Sequence, residues 1–363
     1  MALAPPTRER PVRDPDESPI FVVGAARSGT TLLRQMLDAH PRIHVTHESA
    51  VYFYRSAAPR AAPVREWLPR YMDTFSFAWL RVAPGEVLGE LAAMPSRDRT
   101  VDAVRAVLRC KARLRGKPRF GEKNPLDALS LGRIFRDFAD PRVVCMVRDP
   151  RATVASMLRM PWAPPGVALG TLLGRLMHGR VQPFADRVLE VRLEDLAAEP
   201  RETMGAVLRF VGEPWDDAVL DHVRHASRDD VAPLPWFTGA AITPPARDVA
   251  EGSWRTSLSP AAIRLVERVD RDAMTRYGYA PGRLEREPAA ADVAALALAE
   301  LPAAARFARR LAAYRRAVGR HMSGRERLDP QRAFEATLRF NPDAWRSHPG
   351  LRVPRVPSPG ADR

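Results

Sequence analysis

Two arginines set in turns mark the places where this chain could hold an anion. Arg27 lies inside Gly24-Ala25-Ala26-Arg27-Ser28-Gly29-Thr30-Thr31, a glycine-bounded turn that ends in hydroxyls. Arg148 opens Arg148-Asp149-Pro150-Arg151, and Ser156 follows two helical turns later. Backbone N–H groups of a glycine turn, a helix N-terminus and an arginine fork suit an anion with several oxygens, a phosphate above all. Each residue also has a plainer reading. Arg27 would be a solvated side chain in a tight turn, and Arg148 the ion-pair partner of Asp149.

The flanking sequence says how these turns are positioned. Ile20-Phe21-Val22-Val23 is short, β-branched and aromatic, bounded by Pro19 and Gly24, as a buried parallel strand would be. Leu32, Leu33, Met36 and Leu37 then recur at helical spacing. Strand, glycine turn and helix in that order make a phosphate cradle. The frame Gly-x-x-x-x-Gly is that of a nucleotide P-loop, but Thr30-Thr31 replaces the usual Lys-Ser/Thr and the cation is Arg27, within the turn. The lysine for a terminal phosphate in a magnesium–nucleotide site is therefore missing. Val143 to Val147 reads as a second buried strand, with a helix over 152–158 whose first turn accepts Pro150. Arg148 then falls at a strand's carboxyl end, where open α/β sheets bind ligands.

Taken together, these segments resemble the sulfotransferases that use 3′-phosphoadenosine 5′-phosphosulfate (PAPS), in the branch of protein-tyrosine and carbohydrate sulfotransferases. The motifs are Ala26-Arg27-Ser28-Gly29-Thr30-Thr31-Leu32, Arg148-Asp149-Pro150-Arg151 with Ser156, and Val191-Arg192-Leu193-Glu194-Asp195-Leu196 followed by Pro200. Leu32 to Pro41 is especially similar to the tyrosylprotein enzymes, and the likeness runs from about Pro19 to Tyr279, weakening at 55–115 and 160–185. It implies that Arg27, Ser28, Gly29, Thr30 and Thr31 hold the 5′-phosphosulfate and that Arg148 and Ser156 hold the 3′-phosphate. It adds Ser253 and Trp254 as a further cofactor-binding segment, and Thr238 or Thr243 as a hydroxyl near the sulfonate.

The same resemblance implies roles in catalysis. In-line displacement needs a base for the acceptor hydroxyl and a cation for the leaving oxygen. Glu48, in His44-Val45-Thr46-His47-Glu48-Ser49, matches the family's base, with His44 and His47 as competitors. Lys123, in Phe120-Gly121-Glu122-Lys123-Asn124-Pro125, matches the lysine that faces the sulfonate, in what reads as a loop carrying Gly and Pro, and Arg27 would assist it. Composition gives one independent hint: Lys111, Lys117 and Lys123 are the only lysines among 57 basic residues. No metal is implied. Two departures stand out: Leu193 occupies an aromatic position, and Met160 a basic one beside Arg159. The acceptor would be a tyrosyl peptide, sugar, lipid or phenolic metabolite. The competing readings are a P-loop-type kinase and a non-catalytic anion-binding homologue.

Length and composition set the frame. With 363 residues, 45% of them hydrophobic, the chain can bury a full core. The expected fold is α/β: a P-loop-like three-layer domain over 18–283 with a central parallel sheet including strands at 20–24, 142–147 and 188–192. A disordered segment over 1–17 would precede it, and a helical and extended extension over 284–363 would follow. The insertions would carry exposed aromatics Trp67, Phe75, Phe77, Trp79 and Trp162 around an acceptor pocket. Two cysteines give no disulfide framework, and the Pro- and charge-rich first residues lack an apolar signal core. A cytoplasmic bacterial enzyme, without a membrane span and compatible with a homodimer, is expected. Of the net charge of +14, +9 falls in residues 301–363, where fourteen Arg face five acids. The core is thus only mildly basic, and nucleic acid is not expected as a partner. In that tail an Ala/Arg-rich helix over 303–320 would place Phe307, Leu311 and Tyr314 on one face.

Overall fold

Ile20–Gly24 forms a strand, β1, buried along its whole length. Its alternate side chains enter different layers: Phe21 and Val23 join one apolar cluster, Ile20 and Val22 another. A strand that is apolar on both sides belongs inside a parallel sheet covered on both faces. The computed structural model, which describes residues 14, 17–225, 233–235, 254–346, 348 and 352–358, places it there. With β2 (Ile43–His47), β3 (Arg119–Lys123), β4 (Arg142–Val147) and β5 (Val188–Arg192), β1 makes a five-stranded parallel sheet in the order β2-β3-β1-β4-β5. Helices Thr30–Ala39, Leu193–Ala198 and Pro200–Val211 pack on one face. Helices Val51–Ala57, Val64–Met72 and Thr100–Leu114 pack on the other. The chain leaves β1 toward β2 on one side and later crosses it from β3 to β4. The turns after β1 to β4 therefore meet at one carboxyl edge, at the point where strand order reverses.

Strands were expected at 20–24, 142–147 and 188–192, and all three form. The two others, β2 and β3, escape a search for apolar runs because their charges are buried against partners. In β3, Arg119 donates to Glu213 at 2.8 Å and to the carbonyls of Val211 and Ser18, both at 2.9 Å. Lys123, expected in a loop, is instead the last residue of β3. Gly121 lets that strand lie against β1, since a Cβ there would stand 2.2 Å from the Ile20 carbonyl oxygen.

The insertion aromatics also differ from expectation. Trp67, Phe77 and Trp79 are buried, and Phe75 and Trp162 are half-buried, because C-terminal helices cover the region. Phe334, on helix Pro330–Thr337, lies 5.4 Å from Phe75 and 5.8 Å from Trp79 between ring centres. The Ala/Arg-rich helix runs from Ala290 to Met322, longer than its expected span, and half-buries Phe307, Leu311 and Tyr314. Its Val318 and Met322 enter the cluster that holds Tyr54 and Trp67. Lys117 finds a role at the end of helix Thr30–Ala39, where its ammonium donates to the Asp38 and Ile43 carbonyls. No helix among the described residues is long and apolar enough to cross a membrane.

Gly121→Ala should lower the unfolding free energy read from urea titration by about 1–3 kcal/mol, the cost of overpacking. Gly89→Ala, in an exposed helical position with nothing within 4 Å of the new methyl, should raise it by about 0.5–1 kcal/mol. Equal midpoints for the two variants would contradict the close β1–β3 contact.

Candidate active site

The turn after β1 needs both of its glycines. Gly24, at φ 135°, has the Met146 carbonyl oxygen 2.4 Å from where a Cβ would stand, and Gly29, at φ 98°, has a Leu193 methyl at 2.7 Å. Leu193, at the position expected to be aromatic, thus closes on the turn. Ser28 turns its hydroxyl inward to the Ala25 carbonyl at 2.7 Å. Gly29 begins helix Thr30–Ala39 with no side-chain cap, so no capping oxygen takes the first N–H groups, at Thr30 and Thr31, the arrangement that helix starts use to receive an anion.

Arg27 joins this turn to the second motif. Its Nε donates to Ser156 Oγ at 3.1 Å, and Arg148 Nη1 donates to the Arg27 carbonyl at 3.1 Å. Asp149 is held by Arg151, whose Nε and Nη2 donate to the two carboxylate oxygens at 3.0 and 2.7 Å. Asp149 also accepts the Arg151 N–H at 2.9 Å, capping helix Pro150–Met157. Burial, then the guanidinium groups of Arg148 and Arg159, push the Arg27 pKa down to about 10, with Glu48 opposing. Burial likewise lowers that of Arg148, where Glu194 and Asp149 oppose and Arg159 adds. Arg159 thus acts on both Arg27 and Arg148, and three guanidinium groups crowd one edge, an arrangement suited to a multivalent anion. Arg159 is the contributor that the sequence reading left aside: it sits one residue before the expected basic position, while Met160 is buried among apolar groups.

Next to the cations stand Glu48 and Lys123. The register sets His47 beside Lys123, and the Glu48 N–H continues the ladder to the Lys123 carbonyl at 2.9 Å. The fully buried Lys123 ammonium donates to Glu48 Oε1 at 2.6 Å and to His47 Nε2 at 3.0 Å. Burial pushes the Lys123 pKa down, with Glu48 opposing. Burial, Lys123 and Arg34 push that of His47 well below the usual imidazole range. His47 is therefore neutral, and its Nε2 lone pair is taken by the ammonium. His44 is fully buried, with Nδ1 2.7 Å from Asp38 Oδ1. Glu48 alone of the three reaches solvent, with a 36% exposed side chain.

Glu48 and Ala50 are held in left-handed backbone geometry, at φ 48° and 53°, a conformation that costs about 1–2 kcal/mol for a residue other than glycine. A buried support fixes that turn. Glu122 accepts from Ser49 Oγ at 2.7 Å and from the Ala50 N–H at 2.9 Å, while Tyr71 donates its hydroxyl to the Ser49 carbonyl at 3.1 Å. Burial raises the pKa of Glu122 and, with the charge of Glu122 added, raises that of Asp127 well above the carboxylate range. Of the two carboxyls, Asp127 is pushed further toward its protonated form.

Trp254 lies behind the site. It is buried, with the Arg151 guanidinium 4.0 Å and the Arg255 guanidinium 4.4 Å from its ring centre. Ser253, Thr238 and Thr243 lie outside the described residues. Among the described residues no cluster of three His, Cys, Asp or Glu side chains is arranged for a metal ion.

Comparison with known proteins decides the lineage. A model described as the sulfotransferase family matches residues 19–217. The chain belongs to the sulfotransferase family. It is 26% identical over 282 residues to a protein-tyrosine sulfotransferase of Drosophila melanogaster, covering 74% of this chain and 49% of that protein. It is 31% identical over 215 residues to protein-tyrosine sulfotransferase 1 of Danio rerio, covering 56% and 55%. The chain thus spans about half the length of the curated relatives it matches. In fold, it superposes on a sulfotransferase domain from the curacin biosynthetic pathway with a TM-score of 0.50 at 17% identity, covering 73% of this chain and 99% of that domain.

The raised pKa of Asp127 has a consequence for stability. Its carboxyl keeps the proton in the folded state at pH values where the unfolded chain has lost it. The native state then binds more protons, and stability falls as pH rises from about 4 toward the folded pKa. Asp127→Asn, neutral at every pH, should therefore gain stability relative to wild type as pH rises above about 4 in urea titrations. A gap that is constant with pH would remove the proton from the pair.

Proposed function

We propose that this protein transfers a sulfonate group from PAPS to a hydroxyl acceptor. The observation that carries the reading is the joining of Arg27 to both Ser156 and Arg148, beside a lysine–glutamate pair at the same sheet edge. The residues fit such a donor: a turn with no room for a Cβ at Gly24 or Gly29, a helix start without a side-chain cap and three mutually repelling guanidinium groups. When bound, PAPS supplies an electrophilic sulfur with a phosphate leaving group.

Thr30 and Thr31, with the Gly29 turn, would hold the 5′-phosphosulfate, and Arg148, Ser156 and Arg159 the 3′-phosphate. Glu48 takes the acceptor's hydroxyl proton as the new S–O bond forms. Lys123 and Arg27 neutralise the charge left on the phosphate oxygen as the old S–O bond breaks, which balances atoms and charge without a metal. Trp254 acts at a distance, stacking on the Arg151 fork that grips Asp149. The relatives named protein-tyrosine sulfotransferases favour a tyrosyl peptide among the hydroxyl acceptors. A kinase reading lacks the terminal lysine of the turn, where Thr30 stands.

Calorimetric titration with adenosine 3′,5′-bisphosphate should show tight binding to the wild type, at least tenfold weaker for Arg148→Ala, since a charged hydrogen bond contributes about 1.5–3 kcal/mol. ATP with Mg²⁺ should not substitute. Magnesium-dependent ATP binding without bisphosphate binding would overturn the reading. Glu48→Gln should keep bisphosphate affinity and lose about 10²–10⁴ in kcat with a responsive acceptor. Unchanged turnover would move the base elsewhere.

A further inference from the structure

The outer face of helix Ala290–Met322 has a surface that sulfonate transfer does not use. Leu298, Leu301, Ala305, Arg309, Ala313, Arg316 and Arg320 follow one another at three- and four-residue steps, and all are exposed. They form a single stripe, about 33 Å long at 1.5 Å per residue. Its first third is apolar: Leu298 is 64% and Leu301 57% exposed. The rest is basic, with Arg306, Arg310 and Arg315 exposed beside it. Between Leu301 and Met322 the sequence has no acidic residue. Glu300 is turned away to accept the N–H groups of Val167 and Ala168 at 2.7 and 2.8 Å, at the start of helix Val167–Val181. The opposite face is fixed to the domain through Tyr314, Val318 and Met322, so the stripe is a rigid edge.

We propose that this stripe docks the protein on an anionic phospholipid bilayer. Arg320 pairs with Glu326 beyond the helix, but Arg309 and Arg316 have no acidic residue beside them on the helix; they call for a polyanion, and a nucleic acid backbone would satisfy them alone. The two leucines call in addition for an apolar phase continuous with the anionic one, and the boundary between headgroups and acyl chains is that surface. A long exposed edge also suits a plane better than a pocketed partner. The helix lies on the surface and does not span it.

The test is sedimentation of the full chain with vesicles of phosphatidylcholine alone or with about a third phosphatidylglycerol. Each basic residue near such a surface is worth about fivefold in binding. Binding should therefore require phosphatidylglycerol, weaken with salt, and fall by more than tenfold in the double variant Arg309→Glu, Arg316→Glu. Leu298→Ser with Leu301→Ser should weaken it several-fold at unchanged salt dependence. All four positions are exposed, and unchanged thermal unfolding would show the variants folded. Equal binding to both vesicle types, wild-type binding by the charge variant, or preference for an oligonucleotide over vesicles would overturn the proposal. So would a dimer in sedimentation velocity that Leu298→Ser abolishes, because the face would then belong to a second copy.

Discussion

The pairing of β1 between β3 and β4 is the constraint on which the site depends. Its register sets Val22 level with Lys123 and Val144, and Gly24 level with Met146. Three turns from distant parts of the sequence consequently leave the sheet at one height. Arg27 can then reach Ser156, 129 residues away, and Arg148 can reach the Arg27 carbonyl. A slip of one residue would turn every side chain of β1 to the opposite layer, and Phe21 and Val23 would lose the cluster they complete. Apolar pairing therefore fixes the place of the polar groups.

Gathering cations at one edge has a cost, and the surroundings offset it. Burial of Arg27 and Lys123 disfavours their charged forms, and Glu48 opposes this for both. Asp149 is withdrawn from the cluster by the double contact with Arg151, itself tied to Glu267 at 2.6 Å. The left-handed turn at Glu48 persists because Glu122 and Tyr71 hold both sides of Ser49. Local strain of this kind survives only where neighbouring contacts over-determine the backbone. Burial pushes both Glu122 and Asp127 toward their protonated forms, Asp127 further, which limits the negative charge of that buried pair.

Much of this was legible from residue types. Apolar runs announced β1, β4 and β5, and the glycine turn announced the cradle with Arg27. What stayed hidden was buried polarity. Arg119, Glu122 and Lys123 make β3 look like a loop, since their partners Glu213, Ser49 and Glu48 come from other parts of the chain. Trp67 and Trp79 look exposed for a similar reason: the helices that cover them lie more than two hundred residues onward in sequence. Arg159 was obscured by a shift of one position, which only the packing of Met160 into apolar surroundings resolves.

The strand order also bears on how the protein is made. β1 leaves the ribosome about a hundred residues ahead of both of its sheet neighbours, which lie beyond residue 118. Until then Ile20–Gly24 has two unsatisfied edges and apolar side chains on both faces, the state most prone to pairing with another nascent chain. Every link in an all-parallel sheet is also a long crossover, so closure is slow. The strand that carries the Arg27 turn is thus made before both of its neighbours, and depends on shelter until β3 and β4 arrive.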